Sequence, residues 1–265
     1  MINVTIGQYY PAPSIIHRLD PRTKLFATLM VITLLLLVNN FIGYGFVILC
    51  VAAIIKISQV PPKYMFKGLK GIIFLLMFTV ILNIFFAPGQ TVIFSFGFIS
   101  ITLEGLILAS QLALRLIILV VFSSILTLTT SPIQLTGAIE YSLNPYKKIG
   151  VPAHEIAMMM TIALRFIPTL MEELDKIIKA QKARGADFET GNIVARAKSL
   201  VPVLVPLFIS AFRRADDLAI AMESRCYRGD ENRTRMKELK FMRRDYVAFV
   251  ILFLFAIAVL STRFL

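Results

Sequence analysis

Two arginines stand in matching surroundings and are the residues best suited to recognising a partner. Ala180-Gln181-Lys182-Ala183-Arg184-Gly185 and Ala221-Met222-Glu223-Ser224-Arg225-Cys226 both read small-x-x-small-Arg-small, with the arginines 41 positions apart. Small neighbours let another surface approach the backbone, while a guanidinium offers a planar two-point donor to a carboxylate or phosphate. Gly185 also suits the residue just past a helix, where a left-handed backbone is needed. One arginine before a glycine can simply end a helix; two copies at corresponding ends of two amphipathic stretches carry more weight.

The remaining reactive groups are sparse. Arg115 stands about ten residues into an apolar run. A charge in a membrane span is by default a functional candidate, and the plainer reading is that it packs inside a helix bundle against backbone carbonyls or is reached by water. His17 and His154 lie far apart, with no carboxylate or cysteine at ligand spacing, so no metal site and no cofactor is expected. Cys50 and Cys226 sit in unlike contexts and support no disulfide framework. Glu172-Glu173 and Asp216-Asp217 are adjacent pairs, which do not face each other on a helix. They read as a solvated face, or as partners for Lys176 and Arg213, rather than as a catalytic dyad. No Gly-x-x-x-x-Gly-Lys-Ser/Thr phosphate loop occurs, so the chain is read as no enzyme and any ATP must be handled by other subunits.

The elements that hold these residues are those of a membrane protein. Of 265 residues 57% are hydrophobic and only 17% charged, and the mean hydropathy is +0.77. A net charge of +12 would suggest nucleic acid in a soluble protein. Here no nucleic-acid partner is expected, because basic residues of membrane proteins collect on the cytoplasmic side. The first 24 residues contain Pro11, Pro13, Asp20 and Pro21 and lack the apolar core of a cleavable signal.

The 31 residues between Lys24 and Lys56 carry no charge and are flanked by basic residues at both ends. They read as a tight hairpin of two short or tilted helices turning near Asn39-Asn40 and Gly43-Tyr44-Gly45, with one long tilted span as the alternative. Asp20-Pro21 is a start signal for the first of them. A third span is expected over Gly71–Ala87, stopped by Pro88-Gly89. Residues 88–104, including Val92-Ile93-Phe94-Ser95-Phe96-Gly97, read as an external loop with room for a short hairpin. A fourth span runs from Gly105 to about Thr130, and a last from Tyr246 to about Ser261. Of the 28 Lys and Arg residues, all but Arg115 and Arg263 then fall in the cytoplasm. The N-terminus lies inside and the C-terminus outside.

Residues 131–245 are neither loop nor span. Ile156–Met171 contains Arg165 and Pro168, and Leu200–Phe212 contains Pro202 and Pro206; each continues into a charged helical stretch, 172–184 and 213–228. Long helices apolar at one end and charged at the other suit the membrane–cytoplasm boundary or an in-plane position. The chain therefore divides into 1–130 with four spans, 131–245 with the amphipathic helices, and 246–265 with the last span. Seven of eleven methionines lie in 131–245, among them Met158-Met159-Met160. Such flexible, polarizable side chains suit an exchangeable contact, or plain packing between the in-plane helices.

At the paired motifs the sequence resembles the transmembrane T component of energy-coupling factor transporters, which is related to the cobalt transporter Q protein family. Ala183-Arg184-Gly185 matches the family's Ala-Arg-Gly hallmark, and Ser224-Arg225-Cys226 departs from it while keeping the small sizes. Ser14 to Leu25 (Ser-Ile-Ile-His-Arg-Leu-Asp-Pro-Arg-Thr-Lys-Leu), Leu164-Arg165-Phe166-Ile167-Pro168 and Phe212-Arg213-Arg214-Ala215 add to the likeness, which covers essentially the whole chain. The resemblance implies an all-α membrane protein with about five transmembrane helices plus long cytoplasmic coupling helices. It implies partnership with two ABC-type ATPases, docked by Arg184 and Arg225, and with a membrane S component that captures a vitamin or metal ion. The lipid bilayer is the remaining partner, and no nucleic acid is expected. A permease that carries solute through its own spans is the competing reading, with Arg115 as its intramembrane chemistry.

Overall fold

The computed structural model describes residues 9–86, 91–96, 99–188, 192–229 and 239–262. Its helices are α1 (Pro21–Leu37), α2 (Phe41–Ser58), α3 (Pro62–Phe86), α4 (Leu103–Thr129), α5 (Pro132–Leu143), α6 (Ala153–Ala183), α7 (Ile193–Glu223) and α8 (Arg243–Ser261). An antiparallel hairpin of β1 (Val92–Phe96) and β2 (Ile99–Thr102) separates α3 from α4, where the alternating residues allowed one. A short 3₁₀ turn over Asn144–Ile149 separates α5 from α6. The described residues within Gly7–Ala138 and Lys237–Leu265 form one compact unit, and those within Ile139–Met236 a second.

The first unit is the membrane bundle. Helices α2, α3, α4 and α8 are each long and apolar enough to cross a bilayer. Helix α1, with 17 residues, is not among them; at 1.5 Å per residue it reaches about 26 Å, slightly less than the ~30 Å hydrocarbon core. The uncharged stretch is thus two helices, the hairpin reading rather than the single long span. Their turn is at Val38–Asn40, but Gly43-Tyr44-Gly45 lies inside α2 rather than in the turn. Gly43 serves close approach: a Cβ there would meet Val38 Cγ1 at 2.7 Å and Thr262 Oγ1 at 3.0 Å. Helix α3 starts at Pro62, well before Gly71, because Lys63, Lys67 and Lys70 are all exposed and can carry their ammonium groups away from an apolar stem. The expected stop at Ala87, Pro88 and Gly89 lies outside the described residues, as do Gly97 and Arg263.

The core gathers Leu34 and Leu35 of α1, Tyr44 and Val47 of α2, Phe122 and Ile125 of α4, and Val259 of α8. Polar bonds close its end at the start of α1. Asp20 caps α1 by accepting from the Arg22 N–H at 2.9 Å and holds the Arg22 guanidinium with both oxygens. That guanidinium also lies 4.1 Å over the Phe241 ring. Asp245 of α8 accepts from the Asp20 N–H at 2.9 Å and from the Met242 N–H at 2.8 Å. The Lys24 ammonium donates to the Thr129 carbonyl at the end of α4 (2.8 Å) and to the His17 carbonyl (3.2 Å).

Asp245 is almost fully buried, so Asp245→Ala strands the Asp20 N–H, a loss of about 1–3 kcal/mol. Asp245→Asn keeps an oxygen acceptor and should lose less. Thermal unfolding in detergent should rank wild type above Asn and Asn above Ala; equal Tm for Ala and wild type would contradict the role.

Candidate functional site

The second unit is built on α6 and α7, each 31 residues long. Neither is among the described helices apolar enough to cross a membrane. Pro168 lies inside α6, and Pro202 and Pro206 inside α7. A proline has no N–H for the carbonyl four residues back, so Pro206 leaves the Pro202 carbonyl without its helical partner. Gln181 of α6 supplies one, donating from Nε2 at 3.3 Å.

Further along the same seam, Arg214 of α7 donates to Glu173 of α6 at 3.0 Å. The acidic pairs were expected to form a solvated face or to meet Lys176 and Arg213 at helical spacing; Lys176 does act on Glu173, and the ion pair is made across the seam to Arg214. The Ser210 hydroxyl first, and then Arg214, hold the Glu173 carboxyl below the usual range. His154, at the start of α6, meets Tyr227, just past the end of α7, with Nε2 and Oη 3.3 Å apart. The three contacts pair 181 with 202, 173 with 214 and 154 with 227, so α6 and α7 run antiparallel.

Both arginines occupy one position in one motif. After α6, the Gly185 N–H donates to the Lys182 carbonyl and the Ala186 N–H to the Gln181 carbonyl, with Gly185 left-handed at φ 87°. After α7, the Cys226 N–H donates to the Glu223 carbonyl and the Tyr227 N–H to the Met222 carbonyl, with Cys226 left-handed at φ 56°. These are two Schellman turns, with Arg184 and Arg225 as the cap residues between the last helical turn and the left-handed residue. The stretch expected to stay helical to residue 228 therefore stops at Glu223. Cys226 holds with a Cβ what Gly185 holds without one, at a cost of about 1–2 kcal/mol. Ala183, Arg184, Gly185, Ser224, Arg225 and Cys226 are all exposed.

Antiparallel pairing puts the two tips at opposite ends of the hairpin. A 31-residue helix is about 46 Å long, which sets the two guanidinium groups far apart.

One tip has a support that spacing does not reveal. His154 Nδ1 lies 3.0 Å from Glu140 Oε1 on α5, while its Nε2 faces the Tyr227 hydroxyl. Tyr227 is the residue whose N–H closes the turn around Arg225. The Glu140–His154–Tyr227 chain thus ties that turn to the foot of α6. Its members are 14 and 73 positions apart, and only folding joins them.

The other sequence candidates stand elsewhere. Arg115 of α4 donates to the Val38 carbonyl at 3.0 Å and to the Tyr44 hydroxyl at 3.2 Å, bracing the α1–α2 turn from within the bundle. Met158 is half-buried, while Met159 and Met160 are exposed on α6. His17 is held below its ordinary pKa by burial and is therefore neutral near pH 7. Its Nε2 faces the Tyr10 carbonyl at 2.8 Å and must donate, which leaves Nδ1 to accept from the Ser14 hydroxyl at 2.6 Å. His17 is a fastening for the segment before α1.

Residues 12–236 match the family model described as CbiQ, cobalt transport protein. The chain is 56% identical over its full length, and that of its relative, to a protein of Thermosediminibacter oceani named energy-coupling factor transporter transmembrane protein EcfT. Proteins of the same name from Ruminiclostridium cellulolyticum and Clostridium kluyveri are each 57% identical, over 92% and 93% of this chain and 91% and 92% of theirs.

A spin label on Cys226, with Cys50 replaced by serine, reports the Arg225 turn directly. His154→Leu should raise the label's mobility in the full chain, and His154→Gln, which can still bridge two polar groups, should raise it less. Identical spectra for His154→Leu and wild type would show that the chain of bonds does not hold the turn.

Proposed function

The chain belongs to the CbiQ family of cobalt transport proteins and is a transmembrane component of an energy-coupling factor transporter, and from that premise we propose that it couples ATP hydrolysis by two ABC-type ATPases to uptake of a vitamin or metal ion through a membrane S component. As such a component it is not itself a catalytic enzyme; nucleotide is handled by the partner ATPases. The observation that carries the proposal is the pair of identical helix-end turns, each presenting an exposed arginine, at opposite ends of one antiparallel hairpin. Two similar but separate surfaces suit two related ATPase subunits, with Arg184 docking into one and Arg225 into the other. Helices braced by Gln181–Pro202 and Glu173–Arg214 contacts move as a stiff body, and charge complementarity sets their register on the partners.

In this reading the N-terminus and residues 131–245 face the cytoplasm and the C-terminus lies outside. Residues 1–130 and 246–265 supply the spans, and 131–245 the coupling region. The local bonds of Arg115 to Val38 and Tyr44 speak against a solute path of the chain's own.

Arginine at a desolvated interface is expensive to truncate, by about 2–5 kcal/mol, because the partner acid is left unpaired. Arg184→Glu combined with Arg225→Glu should release both ATPases, and each single change should weaken assembly or uncouple hydrolysis from uptake. Lysine should rescue poorly, since a point charge cannot reproduce a planar fork. Purifying each variant, quantifying both ATPases and assaying ATP-driven uptake checks this. Full retention with wild-type uptake in the double glutamate variant rules the coupling role out.

Met159 and Met160 are exposed on the apolar part of α6, which favours a contact with exchangeable S components. Replacing Met158, Met159 and Met160 with leucine should change the competition between S components more than it changes Tm; unchanged competition sinks that assignment.

A further inference from the structure

A cleft of about 350 Å³ opens in the membrane bundle between the start of α1, the ends of α2 and α4, and the first half of α8. Side chains such as Ile54 of α2, Phe122 and Ile125 of α4, and Ile251 and Phe255 of α8 make its walls almost wholly apolar. Water has few partners in such a space, so its natural filling in a bilayer is hydrocarbon.

One end of the cleft is different. Thr23, Lys24 and Arg244 line it there. The Thr23 hydroxyl is buried and has no hydrogen-bond partner among the described residues. Thr23 is the third residue of α1 and has no preceding helical turn to bond back to, as Thr28 does at the Lys24 carbonyl, and an unpaired buried hydroxyl calls for an explanation. The Lys24 ammonium has three donors, and its bonds to the His17 and Thr129 carbonyls take two. Arg244 is exposed on the first turn of α8, next to Asp245, whose bond to the Asp20 N–H brings the starts of α1 and α8 together.

A matching ligand needs a hydrocarbon body for the walls and acceptor oxygens with negative charge for the hydroxyl and the two cations. A soluble anion would leave the walls unfilled, and a lipid of no net charge would add nothing to balance Arg244 and the second cation, Lys24, which Asp20 and Asp245 already face. Basic pockets between membrane helices take anionic head groups for the same reason. We propose that this cleft binds an anionic phospholipid, with its phosphate at Thr23, Lys24 and Arg244 and an acyl chain along α2, α4 and α8. The lipid satisfies the Thr23 hydroxyl and fastens four helices at the end of the bundle where the bonds of Asp20, Asp245 and Lys24 also lie.

The test uses the full chain in phosphatidylcholine vesicles doped with phosphatidylglycerol that carries a photoreactive group in its acyl chain. Cross-links should map to residues 50–57 and 247–255 in preference to the exposed face of α3 around Phe74. A phosphatidylcholine analogue of the same acyl chain should label the cleft far less. Arg244→Gln should lower cleft labelling roughly fivefold, the effect of one cation at a membrane surface. Thr23→Val, which keeps the shape and removes the hydroxyl, should lower it as well, while labelling of α3 stays constant in both variants. Equal labelling by the two head groups, or cleft labelling indifferent to Arg244→Gln and Thr23→Val, would overturn the proposal.

Discussion

The need to satisfy backbone groups at helix ends governs this structure. Each helix leaves its first N–H and last C=O groups without internal partners, and inside a bilayer water cannot supply them. The polar side chains of the bundle are spent on that need: Lys24 on the end of α4, Arg115 on the end of α1, Asp20 and Asp245 on the starts of α1 and α8. Charges that look reactive in an apolar sequence are here the means by which short helices can end inside it.

Outside the bundle the same need is met differently. Helices α6 and α7 close their last turns with left-handed residues, so backbone N–H groups pair carbonyls of those turns, and the Ser224 hydroxyl adds a bond to the Ala221 carbonyl. The arginine at each cap is exposed. A capping turn is also stiff, which gives a charged tip a defined place relative to its helix. The tip of α7 is bound through Tyr227 and His154 to Glu140, and it carries the strained Cys226 where the other has Gly185.

The prolines of α6 and α7 belong to this account. They break the hydrogen-bond ladder in the apolar halves of the helices, and the repair of one break, from Gln181 to Pro202, binds the two helices together. Helices that were simply continuous would have no such reason to pair at that place.

Much was legible in the residues themselves. Absence of charge between Lys24 and Lys56 with basic flanks implied two helices, Asp20-Pro21 marked where the first begins, and the repeated small-Arg-small pattern marked both tips, because hydrophobicity, charge and capping act over a few neighbouring positions. Gly185 could be assigned a left-handed backbone from its type alone; Cys226 could not, since only its place in a turn equivalent to that of Gly185 requires it. Tertiary structure alone decided that Glu173 meets Arg214 across the seam, that Arg115 serves the Val38 carbonyl, and that His154 joins Glu140 to Tyr227. Those contacts depend on which helix faces are buried against each other and in which direction the helices run. Antiparallel packing of α6 and α7 likewise set the arginines at opposite ends of the hairpin, a separation that no local pattern encodes.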